Sequence, residues 1–415
     1  MGKLGEMDVM LLLIQLGIML LAGRLLAEAA RKLHQPAVVG ELMAGILLGP
    51  TVLGMISPDW FHSLFPHEST SGIVLSGIVQ MAVVMLLFIA GLEVDLHIVW
   101  QQGRQAIYTS VFGLVIPFAF GFIVPYYWPE FFGPEAESMR LPFALFIGTS
   151  MAITALPVIA RVLMDLGLFK SRMGMLVISS AMINDVVGWL IFSVILGLIG
   201  KGNQHLSLVN TVLLTIGFTT LMLTLGRGML NRVLPWVNKK LAWPGGVLSL
   251  SLALCFLAAA FTEFIGIHAI FGAFIIGIAL GDSEHFSERA KEIVHQFINN
   301  IFAPLFFVSI GLRVNFITNF DPWLTLFILV IAYAGKIIGS GLGTRLGGFG
   351  WRESLAAAFG MNARGAMEII LGLVALENGL IGERVFVSLV IMALLTSISS
   401  GPLMKWVLKK ERTLL

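Results

Sequence analysis

The sequence predicts an all-α polytopic membrane protein of about thirteen transmembrane helices. Three observations predict it. Of the 415 residues, 57% are apolar and only 12% are charged, the mean hydropathy is +0.93, and apolar runs of roughly twenty residues recur along the chain. Strand patterns of about ten alternating residues are absent, which argues against a barrel. The single cysteine, Cys255, excludes an intrachain disulfide.

The predicted spans follow one another closely along the chain. Their centres lie near residues 18, 46, 82, 116, 152, 186, 216, 254, 273, 303, 332, 365 and 395. No cleavable signal peptide is predicted, because Arg24 and Arg31 follow the first run without a small-residue cleavage pattern. An outside N-terminus puts nineteen of the 26 Lys and Arg residues on the inner side. We therefore expect a multi-pass protein of the plasma (inner) membrane, with its N-terminus outside and its C-terminus in the cytoplasm.

Two sequence patterns each occur twice. Residues 40–49 match residues 272–281 with all three glycines in register, and residues 91–96 resemble residues 311–316. Equivalent spans are separated by seven positions in the order of spans along the chain, as span 2 is from span 9. Because successive spans alternate in direction and seven is odd, the two halves cross the membrane in opposite senses. This predicts two inverted-topology repeats, 1–200 (spans 1–6) and 231–415 (spans 8–13), with span 7 in 201–230 as the linker.

Equivalent spans of the two halves are interrupted by residues that break helices. In span 5, Pro157 lacks an N–H and follows the polar Thr154, so the helix is expected to break there and leave backbone carbonyls free. In span 12, Asn362 and Arg364 stand between glycines inside an apolar run. Two crossed broken helices in inverted halves indicate a transport site where they meet.

Asp185 is the strongest candidate for chemistry, because span 6 is otherwise almost without charge. A carboxylate beside unwound backbone in a membrane is a cation site in outline, and its raised proton affinity when buried suits a group that exchanges a proton for a cation. Asn184 and Ser180 lie one helical turn apart and add a polar stripe beside it.

Four further ionisable side chains lie inside spans. Lys336 in span 11 either pairs with Asp185, titrates itself or forms a structural salt bridge. Arg364 and Glu368 are four residues apart, and we favour a pair that stabilises the broken helix over direct ion binding. Glu41 in span 2 is open between a hydrogen bond at a helix interface and a role in ion access.

Four motifs together resemble the monovalent cation/proton antiporter superfamily, in the branch of bacterial sodium/proton exchangers and plant cation/proton exchangers. They are TALPVIAR at 154–161, INDV at 183–186, NARGAME at 362–368 and GILLGP at 45–50. The resemblance implies a mobile core domain that contains the crossed helices and a separate dimerisation domain. It also implies that Asp185 binds the ion and the proton, that Asn184 is its neighbour in the site, and that Thr154 contributes to the crossing.

The resemblance further implies exchange of Na+ or K+ for H+ by alternating access, as in pH homeostasis, and a homodimer. Electrogenic members carry two adjacent acids, and Asn184 replaces the first, so we expect one cation per proton. We assign the core mainly to 72–200 and 290–380 and the dimerisation scaffold to the other spans. No cofactor, enzymatic reaction or nucleic-acid partner is expected. The alternatives are a sodium-coupled symporter of organic anions and a channel-like or sensory membrane subunit.

Overall fold

The computed structural model describes residues 5–33, 35–66, 69–169, 171–199 and 208–412, and they form helices without any strand. This agrees with the predicted all-α class. The helices are α1 (Glu6–Lys32), α2 (Ala37–Leu48), α3 (Leu53–Ile56), α4 (Pro58–Leu64), α5 (Thr70–Leu92), α6 (Leu96–Tyr127), α7 (Pro134–Ser138), α8 (Arg140–Ala152), α9 (Leu156–Asp165), α10 (Arg172–Ile199), α11 (Leu208–Leu221), α12 (Arg227–Lys240), α13 (Gly245–Phe264), α14 (Ala269–Gly281), α15 (Glu288–Arg313), α16 (Pro322–Leu346), α17 (Trp351–Met361), α18 (Ala366–Glu377) and α19 (Glu383–Arg412).

Within those ranges, eleven helical segments are long and apolar enough to cross a membrane. The pair α17 and α18, bent by 44° at its break, makes a twelfth. The predicted span near residue 273 is α14, an apolar helix of 13 residues. It is shorter than the roughly twenty residues that a straight span needs, so by length and composition the described residues give eleven or twelve spans, and the predicted count of thirteen is not confirmed.

The linker predicted at 201–230 corresponds to α11 and the start of α12, and its residues 201–207 lie outside the described part of the chain. A single π-helical turn, Met222–Gly226, joins α11 to α12. Together they form one helical segment, Val209–Lys240, of 32 residues.

The chain folds into two units, and each takes helices from both halves of the sequence. Unit 1 comprises Met1–Val94 and Gly217–Asn319, and unit 2 comprises Asp95–Ile216 and Phe320–Leu415. The core assigned from the sequence, 72–200 and 290–380, coincides with neither unit, because α5 and α15 belong to unit 1 and α19 belongs to unit 2. There α5 packs on α14, and α15 packs on α2.

Unit 1 contains the same glycine contact twice. A Cβ atom on Gly45 of α2 would lie 2.2 Å from the carbonyl oxygen of Val308 of α15. A Cβ atom on Gly277 of α14 would lie 2.3 Å from the carbonyl oxygen of Phe88 of α5. These residues are equivalent in the two sequence repeats, so the repeated glycines serve the same close helix contact in each half.

Unit 2 is built around α16, whose glycines recur every four residues. A Cβ atom on Gly339 or Gly343 would lie 2.4 Å from the carbonyl oxygens of Phe112 and Tyr108 respectively, so both glycines let α6 approach closely. An apolar cluster fills the space between α9, α10, α17 and α19. The contact between α6 and α16 and this cluster together support the interrupted helices described next.

Candidate functional site

The first interruption separates α8 from α9. Residues 153–155 are not helical, and Pro157 lies in the first turn of α9, where its missing N–H costs nothing. The break therefore precedes the proline, as the sequence predicts. The carbonyl groups of the last turn of α8 have no partners within their own helix and need donors from elsewhere.

The second interruption, residues 362–365, separates α17 from α18 and is bonded directly to the first. The backbone N–H of Ala155 donates to the carbonyl of Ala363 at 2.8 Å, and the hydroxyl of Thr154 donates to the carbonyl of Met361, also at 2.8 Å. Each break thus satisfies backbone groups that the other leaves open. Asn362 is buried, and its Oδ1 has no hydrogen-bond partner among the described residues.

Lys336 of α16 is fully buried and donates to the first break. Its Nζ lies 3.0 Å from the carbonyl oxygen of Gly113 and 2.8 Å from Thr154 Oγ1, and it also donates to the carbonyl of Ala152. These three bonds use all three N–H groups of an ammonium. The Lys336 side chain ends at the C-terminal, negative end of α8, where a positive charge is favourable. A direct pair between Lys336 and Asp185, or titration of Lys336, stays a prediction.

Arg364 and Glu368 form a buried ion pair with an N to O distance of 3.2 Å, and their side chains are 0% and 2% exposed. Arg364 also donates to the carbonyls of Ser150 and, at 2.7 Å, Met151. The hydroxyl of Ser150 donates to Glu368 at 2.7 Å. Two basic side chains, Arg364 and Lys336, therefore donate to the last three carbonyls of α8.

Asp185 and Asn184 lie in the middle of α10 and are 2% and 0% exposed. Gly188, one turn beyond Asp185 on the same helix face, packs against Ile153 of the first break, where an added Cβ would lie 2.4 Å from the Ile153 side chain. This face of α10, on which Asp185 lies three residues before Gly188, therefore packs against the break.

Of the remaining predicted site residues, Ser180 lies in unit 2 and Glu41 lies in unit 1. The hydroxyl of Ser180 donates to the carbonyl of Ala106 on α6 at 3.3 Å, so it joins α10 to α6. Glu41, 6% exposed, belongs to unit 1, where Arg24 and Arg31 act on it electrostatically. All the other predicted site residues belong to unit 2. Their roles in ion binding stay predictions.

The sequence predicts α6 as a span centred near residue 116 but gives it no part in the site. On α6, Ala106, Ser110 and Gly113 lie on one face and contact Ser180, Asn184 and Lys336 respectively. The adjacent polar residues Thr109 and Ser110 in an apolar span are the only sequence signal of this face. The other two contacts use backbone carbonyls, which leave no trace in the residue types.

Comparison with known proteins gives three kinds of match. Residues 17–410 match the family model described as sodium/hydrogen exchanger, transmembrane. The chain is 33% identical over 398 residues to the Na+/H+ antiporter NhaS4 of Synechocystis sp., covering 95% of this chain and 96% of that protein. It is 33% identical to cation/H+ antiporter 17 of Arabidopsis thaliana, covering 97% of this chain but only 49% of the relative, so it spans about half of that protein.

A third relative is the Na+/H+-K+ antiporter GerN of Bacillus cereus, 29% identical over 94% of this chain and 95% of its own length. Among solved structures, that of the sodium proton antiporter MjNhaP1 from Methanocaldococcus jannaschii matches with a TM-score of 0.65. The match covers 96% of this chain and 97% of that one at 19% identity. At this identity the structural match shows a shared fold.

Proposed function

The chain belongs to the transmembrane sodium/hydrogen exchanger family, and on this premise we propose that it exchanges Na+ or K+ for H+ across a membrane by alternating access. The names of its relatives support a monovalent cation as the substrate, because they include Na+/H+ and Na+/H+-K+ antiporters. These relatives are transporters rather than enzymes, and none is named as a symporter of organic anions or as a channel.

The observation that carries the proposal is the position of Asp185 on the face of α10 that packs against the first break. The buried ionisable side chains around the two breaks are Asp185, Glu368, Lys336 and Arg364, whose formal charges sum to zero when all are ionised. One proton or one monovalent cation on Asp185 changes this sum by a single charge. The two substrates therefore compete for one group, and this competition couples their fluxes.

The proposed coupling step is a movement that is allowed only when Asp185 is occupied. In this scheme unit 2 is the moving core, and unit 1 is the scaffold through which two copies of the chain form a homodimer. Moving an unneutralised carboxylate through the bilayer is costly, so the empty core stays at one face. The predicted orientation, N-terminus outside and C-terminus in the cytoplasm of the plasma (inner) membrane, belongs to this proposal.

The decisive variant is Asp185→Asn. Reconstituted in liposomes, the wild-type protein is expected to move protons when an opposing gradient of Na+ or K+ is imposed, and the variant is expected to lose this activity because its amide cannot bind a proton or neutralise a cation. Proton movement is followed with a trapped pH-sensitive dye. A scan of Li+, Na+, K+ and Rb+ identifies the preferred cation.

The matched control is Asp165→Asn, the same substitution in a carboxylate that is 72% exposed at the end of α9. It is expected to exchange cations at the wild-type rate. Undiminished exchange in a folded Asp185→Asn protein would contradict the assignment of this carboxylate.

A further inference from the structure

Ser110 of α6 makes a buried contact with the residue next to the proposed ion-binding acid. Its Oγ donates to Oδ1 of Asn184 at 2.7 Å, and the two residues are 1% and 0% exposed. In the part of the chain that the structure describes, Nδ2 of the same carboxamide is buried and has no hydrogen-bond partner. One end of the amide is therefore held, and the other end is open.

A primary amide carries an acceptor at one end and two donors at the other, and the two ends differ little in shape. Without a partner, a carboxamide can rotate about its last torsion, which has a broad, two-fold profile. The bond from Ser110 removes this freedom and fixes which end is held. A buried NH2 without a protein partner is costly unless a ligand or a water completes it. The open Nδ2 of Asn184 is available to a water that arrives with the cation.

Neighbouring bonds hold Ser110 itself in place. One residue before it, Thr109 is hydrogen-bonded to Thr344 of α16 at 3.2 Å. One turn later, the carbonyl of Gly113 accepts from Lys336. The segment of α6 that carries Ser110 is thus fixed to α16 on both sides. This makes Ser110 a rigid support for Asn184.

We propose that Ser110 is a positioning residue for cation exchange, which holds the carboxamide of Asn184 in a fixed orientation beside Asp185. This inference rests on the proposed function. A side chain that is ordered before the ion arrives loses less conformational entropy when the ion binds, so preorganisation raises affinity. Ser110 touches neither substrate in this scheme and acts through Asn184.

The test measures the apparent KM for Na+, or for K+ if the cation scan prefers it, and the maximal rate at one fixed pH in liposomes. Ser110→Ala is expected to raise the KM about tenfold, the effect of losing one hydrogen bond, with the maximal rate within about twofold of wild type. Ser110→Thr keeps the hydroxyl and is expected to restore the wild-type KM. Ser110→Cys keeps the volume but donates weakly, so it should follow the alanine variant.

Two further variants separate positioning from a general structural effect. Ser193, also on α10, is 2% exposed and its hydroxyl has no partner among the described residues, so Ser193→Ala is expected to leave the KM unchanged. In a double-mutant cycle, adding Ser110→Ala to Asn184→Ala should cause no further increase in KM, because the group that Ser110 holds is already absent.

Cation binding is also measured without transport, as the Na+ concentration that gives half of the maximal rise in melting temperature of the purified protein. This concentration should rise about tenfold in Ser110→Ala and in Ser110→Cys. A KM and a binding concentration within twofold of wild type in both variants would overturn the inference, as would an additive double mutant. Loss of exchange in the wild type with intact cation binding would overturn the proposed function alone.

Discussion

At the scale of single residues, the buried basic side chains of unit 2 are satisfied mainly by backbone carbonyls. Lys336 donates to the carbonyls of Gly113 and Ala152, and Arg364 donates to those of Ser150 and Met151. These acceptors exist because α8 ends inside the unit and its last carbonyls lack intrahelical donors. The broken helix therefore supplies acceptors for the buried basic side chains, and these side chains supply donors for its unpaired carbonyls.

This pairing explains which site residues the sequence could predict. Asp185, Lys336, Arg364 and Glu368 are conspicuous because a charged residue in an apolar run needs a specific reason. Their backbone partners depend on chain geometry, and the residue type does not reveal them. Ser110 was missed for a related reason, since a serine inside an apolar helix most often bonds to its own helix.

The first prediction concerns Asp321, which caps α16 outside the membrane-spanning segments. The N–H of Leu324 donates to its carboxylate at 2.9 Å and lowers the pKa of that carboxyl below its ordinary value of 3.8, against an opposing effect of partial burial. The hydrogen bond and charge of Arg384 and the N–H of Trp323 lower this pKa further. A lowered pKa means that the carboxylate stabilises the folded state above pH 3.8 and that this contribution is lost as the pH falls through the folded pKa.

Asp321→Asn keeps a capping oxygen but loses the charge that faces Arg384. The variant is expected to melt about 2 °C below wild type at pH 7, and the difference should narrow as the pH falls below 3.8, the ordinary pKa of this carboxyl. The measurement is the melting temperature of both purified proteins between pH 7 and pH 3. Asp165→Asn, in a more exposed ion pair, serves as the control and should match wild type throughout. A difference that stays constant with pH would show that the charge of Asp321 contributes nothing.

At the scale of helices, the two interruptions were predictable and their mutual bonding was not. Pro157 and the glycines around Asn362 mark the breaks because proline and glycine disfavour a continuous helix. The hydrogen bond from Ala155 to Ala363 depends on two segments that are about two hundred residues apart in sequence. Sequence patterns report local conformation, whereas such a contact follows only from the packing of the whole unit.

The second prediction concerns the pair Arg364 and Glu368, which has less than 3% of either side chain exposed. Arg364→Met leaves a buried carboxylate without its cation and is expected to lower the free energy of unfolding by about 3–5 kcal/mol. Arg364→Met with Glu368→Met replaces the pair by apolar side chains and should recover part of this loss. Recovery is incomplete, because the carbonyls of Ser150 and Met151 still lose a donor.

Denaturant unfolding of the three purified proteins, followed by tryptophan fluorescence, measures these differences. The informative comparison is the double variant against the single one. The double variant could instead be no more stable than Arg364→Met. Arg364 would then not stabilise the fold by neutralising Glu368, and its hydrogen bonds to the carbonyls of α8 would account for the whole loss of stability in Arg364→Met.

At the scale of the whole molecule, the repeats and the units divide the chain differently. The sequence repeats split it near its middle, whereas each unit combines a segment of the first half with one of the second. The glycine contacts between α2 and α15 and between α14 and α5 are the same contact made by equivalent segments. The all-helical class and the broken helices could be predicted because hydropathy and helix-breaking residues act on the conformation of the segment in which they lie. The assignment of α5 and α15 to unit 1 could not be predicted, because hydropathy identifies a span but does not show which other spans it packs against.

The last prediction concerns the charge moved in each cycle. The resemblance to the antiporter superfamily implies that electrogenic members carry a second acid at the position of Asn184, so Asp185 alone is proposed to alternate between one cation and one proton. Both loaded forms of the core then carry the same net charge, and a complete cycle moves none across the membrane. Exchange driven by a pH gradient is therefore expected to proceed at the same rate whatever the membrane potential.

The measurement compares exchange in liposomes at inside-positive and inside-negative potentials set by gradients of thiocyanate, so that Na+ and K+ concentrations are identical in both arms. Asn184→Asp is the matched variant, because it restores a second carboxylate at nearly constant volume. If that carboxylate also gains and loses a proton in each cycle, two protons move against one cation, and the rate should depend on potential. A potential-dependent rate in the wild type would instead show that a second group, for which Lys336 is the buried candidate, titrates in the cycle.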